Sequence, residues 1–196
     1  MDTRTRTLSR WISAPLALIA SLTLLGAAGR PAGPQASILV YGADATQQDM
    51  VTWAANRYEA AGLEGMPPLE FHFHQGRADC GGEIGRYHLG RVGLCTADSS
   101  EPYAKKFLLH EMAHAWTEAN VGTTVRQRFM ELQGISSWND PSVEWKERGF
   151  EQTAEVIVWG IGEGQVAPLL PQPIDTERLL AAYTLLTGRA SINPTV

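Results

Sequence analysis

Ten residues, Phe107-Leu108-Leu109-His110-Glu111-Met112-Ala113-His114-Ala115-Trp116, set the reading of the whole chain. Apolar side chains surround a His-Glu-x-x-His pattern on nearly every side, as in a helix buried all round. Residues four apart share one helix face, so His110 and His114 can turn both imidazoles toward one ion. Glu111 is rotated by about 100° from His110, off that ligand line and placed to meet a water beside the ion. Two neutral ring nitrogens and a proton-accepting carboxylate are the parts of metal-assisted hydrolysis, with zinc as the ion. The competing reading is a pair of core histidines satisfied by protein partners, because buried His and Glu need either partners or a metal.

The chain opens with Arg4, Arg6 and Arg10, runs apolar from Ile12 to Ala28, and then offers the small residues Gly26-Ala27-Ala28-Gly29. Residues 1–36 are therefore expected to be a secretory signal peptide. An uncleaved anchor is the other possibility, since about 17 apolar residues can just span a bilayer. Residues 37–196 are expected to form a single domain, long enough for a proper core. They carry 12 basic and 20 acidic side chains, an acidic balance that argues against a nucleic-acid partner. Membrane contact is expected only through the N-terminal segment. The chain has two cysteines, Cys80 and Cys95, and in an exported protein these pair as a disulfide.

Ser37–Gly42 reads as a short apolar strand stopped by glycine, and a helical repeat follows from about Thr46 to Ala61. After Pro67-Pro68, Leu69, Phe71 and Phe73 alternate with Glu70, His72 and His74, the pattern of a half-buried strand. His72 and His74 then share a solvated strand face rather than forming a second metal site. The glycine-rich stretch from Cys80 to Cys95 suits a hairpin or two short strands tied at its ends. Ala97–Pro102 supplies capping residues and an early proline, so the His-Glu-x-x-His helix should start near Ser100 and end before Gly122. Thr123–Gln133 forms a second amphipathic run, residues 134–146 a loop, and Asp175-Thr176-Glu177 opens a closing helix that Gly188 stops.

A zinc site with two His needs a third protein ligand and an open position. No His follows His114, so the ligand is a downstream carboxylate or one of His72, His74 and His88 upstream. Arg148–Gly160 reads as another buried helix, with Glu151 and Glu155 one turn apart on the same face. Two carboxylates turned toward a core need partners. Ion pairs with Arg126, Arg128 or Arg148 would satisfy them structurally, and metal ligation would satisfy them functionally.

His110-Glu111-x-x-His114 followed downstream by Glu151-x-x-x-Glu155 resembles the gluzincin branch of zinc metallopeptidases, over roughly residues 90–160. The resemblance implies that Glu151 is the third ligand. It also implies that Glu155, standing where the family has Asp, accepts a hydrogen bond from the far nitrogen of His110. The separation of His114 from Glu151 exceeds that of the thermolysin-like type, which implies an inserted helix. The downstream oxyanion His of that type is absent, leaving Tyr103, Tyr183, Arg148 or His88 to substitute.

The fold implied is a small α+β zincin-like domain, a short mixed sheet packed on the His-Glu-x-x-His helix and on a second, glutamate-bearing helix. An edge strand beside the zinc helix, with residues 91–95 as the candidate, would align an extended peptide. The expected activity is that of a secreted zinc metallopeptidase acting on peptide or protein substrates, with Glu111 as general base. Two rivals belong to other classes: an exported zincin-fold binding protein without hydrolysis, and a disulfide-stapled interaction domain without metal.

Overall fold

Alternation over Leu69–Phe73 produces a strand with one face in the core. Leu69, Phe71 and Phe73 are buried, while Glu70 and His72 lie on the more open side. The computed structural model describes residues 37–96, 99–162, 170 and 175–194. The expected leader or anchor over 1–36, residues 97–98 of the capping stretch, and most of the proline-punctuated connection at 164–173 lie outside the described residues. All described residues belong to one compact unit, Gly33–Val196.

The elements are β1 (Ile38–Tyr41), α1 (Ala45–Ala60), β2 (Leu69–Phe73), β3 (Gly85–His88) and β4 (Arg91–Leu94), then α2 (Glu101–Asn120), α3 (Thr123–Gln133), α4 (Gly149–Ile161) and α5 (Thr176–Thr187). Single 3₁₀ turns occur at Arg77–Cys80 and Trp145–Glu147. Four strands and five helices among the described residues make a mixed α+β fold, and α3 is the helix expected between the two motif helices.

Strand order is β1-β2-β4-β3. Strands β1, β2 and β4 are parallel, with Phe71 opposite Val40 on one side and Val92 on the other. β3 runs antiparallel to β4, pairing Tyr87 with Val92. A two-residue turn, Leu89-Gly90, joins β3 to β4 with both φ values positive, as tight hairpins require.

This order corrects one expectation. Residues 91–95 are not an edge: β4 has β2 on one side and β3 on the other. The chain first lays down β3 on the outside and then returns through β4 inside it, so among the described residues the sheet edge near α2 is β3. The expected disulfide is present between Cys80 and Cys95, both buried, with a Cα–Cα distance of 6.2 Å. It ties the start of this excursion to the end of β4.

Helix α1 begins on a reciprocal cap, in which Asp44 accepts from the Gln47 N–H at 2.8 Å and Gln47 accepts from the Asp44 N–H at 2.9 Å. Its buried face (Val51, Ala54, Tyr58) meets α2, where the Tyr58 hydroxyl donates to the Leu109 carbonyl at 2.9 Å. Arg57 donates to the carbonyls of Ile161 and Gly162, satisfying groups that the end of α4 leaves open. α5 closes the far side. A Cβ on Gly160 would stand 2.1 Å from the Tyr183 ring, so only glycine lets α4 and α5 come this close.

Candidate metal centre

The two helices that carry the motifs are built differently. α2 starts with a proline in its first turn and then buries twelve side chains, among them Leu108, Leu109, Met112, Ala113, Ala115 and Trp116. Ser100 occupies the N-cap position without a side-chain bond to the helix. α4 sets Glu151, Gln152, Thr153 and Glu155 among apolar residues, and every residue from Glu151 to Val158 is buried. Packing α4 across α2 brings Glu151 and Glu155 up to the histidine face.

Glu151 Oε2 lies 3.2 Å from His110 Nε2 and 3.1 Å from His114 Nε2. Tetrahedral ligands held at about 2.0–2.1 Å are separated by about 3.3 Å, so these contacts are close to the edges of a zinc tetrahedron. His110, His114 and Glu151 form the one group of three potential ligands found among the described residues. Two imidazole nitrogens and a carboxylate oxygen are a donor set that suits zinc, and by this test the residues fit a divalent ion.

The fifth motif residue has a separate task. Glu155 Oε1 lies 3.0 Å from His110 Nδ1, on the far side of the ring from Glu151. One carboxylate therefore meets each edge of a single imidazole. Glu155 Oε2 in turn pairs with the Lys106 ammonium at 2.9 Å, with both groups almost completely buried. His114 is positioned by stacking instead: Phe150 lies 4.1 Å from its ring and Tyr87 lies 6.2 Å away. Its Nδ1 finds no hydrogen-bond partner among the described residues. Trp145 stacks on His110 at 5.7 Å.

Glu111 stands outside the ligand group, against the β3 edge of the sheet. A Cβ on Gly85 would lie 2.7 Å from its Oε1, so β3 can come this near only because residue 85 lacks a side chain. The Tyr87 backbone N–H donates to the Glu111 carboxylate. Tyr87 also fixes β3 to α2, its hydroxyl donating to Glu118 at 2.7 Å.

The electrostatics follow from burial and neighbours. Burial pushes the Glu111 carboxyl up to about 7, and the nearby carboxylates of Glu151 and Glu83 add to the rise. Burial works against charge on His110, but Glu151 and Glu155 outweigh it and raise that imidazole to about 10. His114 is held below its ordinary value, chiefly by burial. Burial also works against the Glu151 carboxylate, yet its contacts to the two imidazoles bring it down to about 2.

The remaining candidates are elsewhere. His72 stacks on Tyr41 at 4.8 Å and approaches Glu70 at 3.4 Å, His74 approaches Asp79 at 3.8 Å, and exposed His88 ends β3. The upstream histidines are thus not the third ligand. Two of the arginines considered above are engaged with backbone carbonyls: Arg126 donates to Val121, and Arg148 to Val143 and Pro141. Lys106 is the cation that sequence reasoning missed. Its signal was available, since it precedes His110 by four residues and shares that buried helix face. Of the groups considered for an oxyanion, Arg148 is committed to carbonyls and Tyr183 is packed against Gly160. Tyr103 is half exposed on α2.

Compared with protein-family models, curated proteins and solved structures, the chain matches none.

Proposed function

We propose that this chain is a secreted zinc metallopeptidase of the gluzincin type, with a zincin-like fold. One observation carries the reading: a single carboxylate oxygen of Glu151 lies within 3.2 Å of both Nε2 atoms, while Glu111 stays outside the group. A divalent ion held by His110, His114 and Glu151 supplies Lewis acidity, lowering the pKa of water and polarising a carbonyl. Glu111, beside the ligand group but not part of it, is placed to accept a proton from water and return it to the leaving amine. Glu155 and Phe150 hold the two imidazoles in place.

The substrate class follows from the edge beside the base. Among the described residues no strand pairs with the outer side of β3, which is fixed to α2 through Tyr87 and Glu118. An extended peptide added to that edge by backbone hydrogen bonds would run past Glu111. The buried Cys80–Cys95 disulfide supports an extracytoplasmic location. No helix among the described residues is long and apolar enough to cross a membrane.

The test is peptide hydrolysis by zinc-loaded protein, wild type against Glu111→Gln. Loss of about 10²–10⁴-fold is expected for removal of a general base. Equal rates would take Glu111 out of the mechanism. A second reading, a zincin-fold binding protein without hydrolysis, is favoured by the engagement of Arg148 and Tyr183 away from the ligand group. Stoichiometric zinc with no cleavage by the wild type would select it.

A further inference from the structure

We propose that Lys106 is a positioning residue of the metal centre, acting through Glu155 to hold the His110 imidazole with Nε2 turned toward the ion. The inference rests on the metal-site reading above. A lysine ammonium is among the most costly groups to bury and is rarely buried without a partner. Lys106 is 4% exposed and lies in a stretch of α2 where an apolar residue would satisfy the core. Its position is explained by Glu155, whose Oε2 it meets at 2.9 Å.

The geometry assigns a task to that contact. Lys106 and His110 stand one turn apart on α2, and Glu155 comes from α4. Each oxygen of the Glu155 carboxylate therefore has its own anchor, Nδ1 of His110 at 3.0 Å and Nζ of Lys106 at 2.9 Å. A carboxylate held at one oxygen can pivot, and one held at both cannot. With Glu155 fixed, the His110 ring is fixed, because its Nδ1–H must point at Oε1. The same bridge ties together the helices that carry the ligands, α2 with His110 and His114, and α4 with Glu151. It thereby maintains the spacing at which Glu151 Oε2 reaches both imidazoles.

A purely structural ion pair would affect folding but not metal affinity, and this separates the two roles. The experiment measures the zinc dissociation constant of the folded protein by competition with a chromophoric chelator, with circular dichroism as the check on folding. Lys106→Met should bind zinc about 10–100-fold more weakly, the usual effect of losing a group that orients a ligand. Lys106→Arg, which keeps the charge, should recover most of that loss. The double variant Lys106→Met/Glu155→Gln should bind no more weakly than Glu155→Gln alone, because Lys106 is proposed to act through Glu155. If Lys106→Met or Glu155→Gln does not fold, the double variant, which removes both buried charges of the pair together, is measured against the wild type. It should show the same loss of about 10–100-fold, with affinity within about twofold overturning the proposal. Affinity within about twofold of wild type in folded Lys106→Met, or a further tenfold loss in the double variant, would overturn the proposal. Failure of the wild type itself to bind zinc would instead remove the metal-site reading, which is a different outcome.

Discussion

The protonation state of His110 in the metal-free protein offers a sharp test of the cluster. Both ring nitrogens face carboxylates, Glu151 at 3.2 Å and Glu155 at 3.0 Å, and these outweigh burial to bring the imidazole to about 10. At pH 8 such a ring is about 99% protonated, whereas a free imidazole of pKa 6.5 is about 3% protonated. Because the folded value lies above the unfolded one, the imidazolium stabilises the metal-free fold fully below pH about 6.5. That contribution is lost as pH rises toward 10. Metal uptake must expel the same proton, so zinc affinity should gain about tenfold per pH unit from this group until pH 10 is reached. The assay is imidazole NMR of chelator-treated protein between pH 6 and 11, with His110 assigned by substitution. Glu151→Gln should lower the His110 midpoint. A His110 that titrates at or below pH about 6.5 in the folded wild type would refute the reasoning, because the carboxylates would then not be in contact with it.

Two further substitutions probe other parts of the structure. Gly85→Ala places a Cβ 2.7 Å from Glu111 Oε1, and an error of about 1 Å in a catalytic group costs about 100-fold in kcat/KM. Zinc affinity should be unchanged in that variant, and undiminished activity would show that β3 does not set the position of Glu111. Cys80→Ser opens a disulfide of sequence separation 15, with an expected loss of about 3 kcal/mol, or roughly 6–12 °C in Tm. Reductant added to the wild type should reproduce that fall, and an unchanged melting curve in both cases would deny the disulfide a stabilising role.

How far the sequence could be read depended on whether a feature was local. Four-residue spacing on a helix determines which side chains share a face, so His110 with His114, and Glu151 with Glu155, could be paired before any coordinates. Alternation at Leu69–Phe73 and the punctuation by Gly122, Gly134 and Gly188 located a strand and three helix ends for the same reason. Strand order is not local. β4 is nearest to α2 along the chain, yet the hairpin places β3 outside it, and no periodicity in Gly85–Leu94 encodes which strand is exposed. The assignment of Glu151 to the ligand group and Glu155 to the far side of His110 depends on how α4 crosses α2, which spacing alone leaves open. Lys106 was missed because lysine is ordinarily a surface residue, although its place one turn before His110 already set it on the buried face, opposite Glu155. The stacking of Phe150 and Trp145 on the two imidazoles likewise arises from tertiary packing around the 134–146 loop.

Whether His110, His114 and Glu151 together grip one ion is tested most directly by zinc content after equilibration with excess metal and desalting. The wild type should retain about one zinc per chain, and Glu151→Ala and His114→Ala should retain little. A wild type that comes through free of metal, or a Glu151→Ala variant as fully loaded as the wild type, would contradict the assignment.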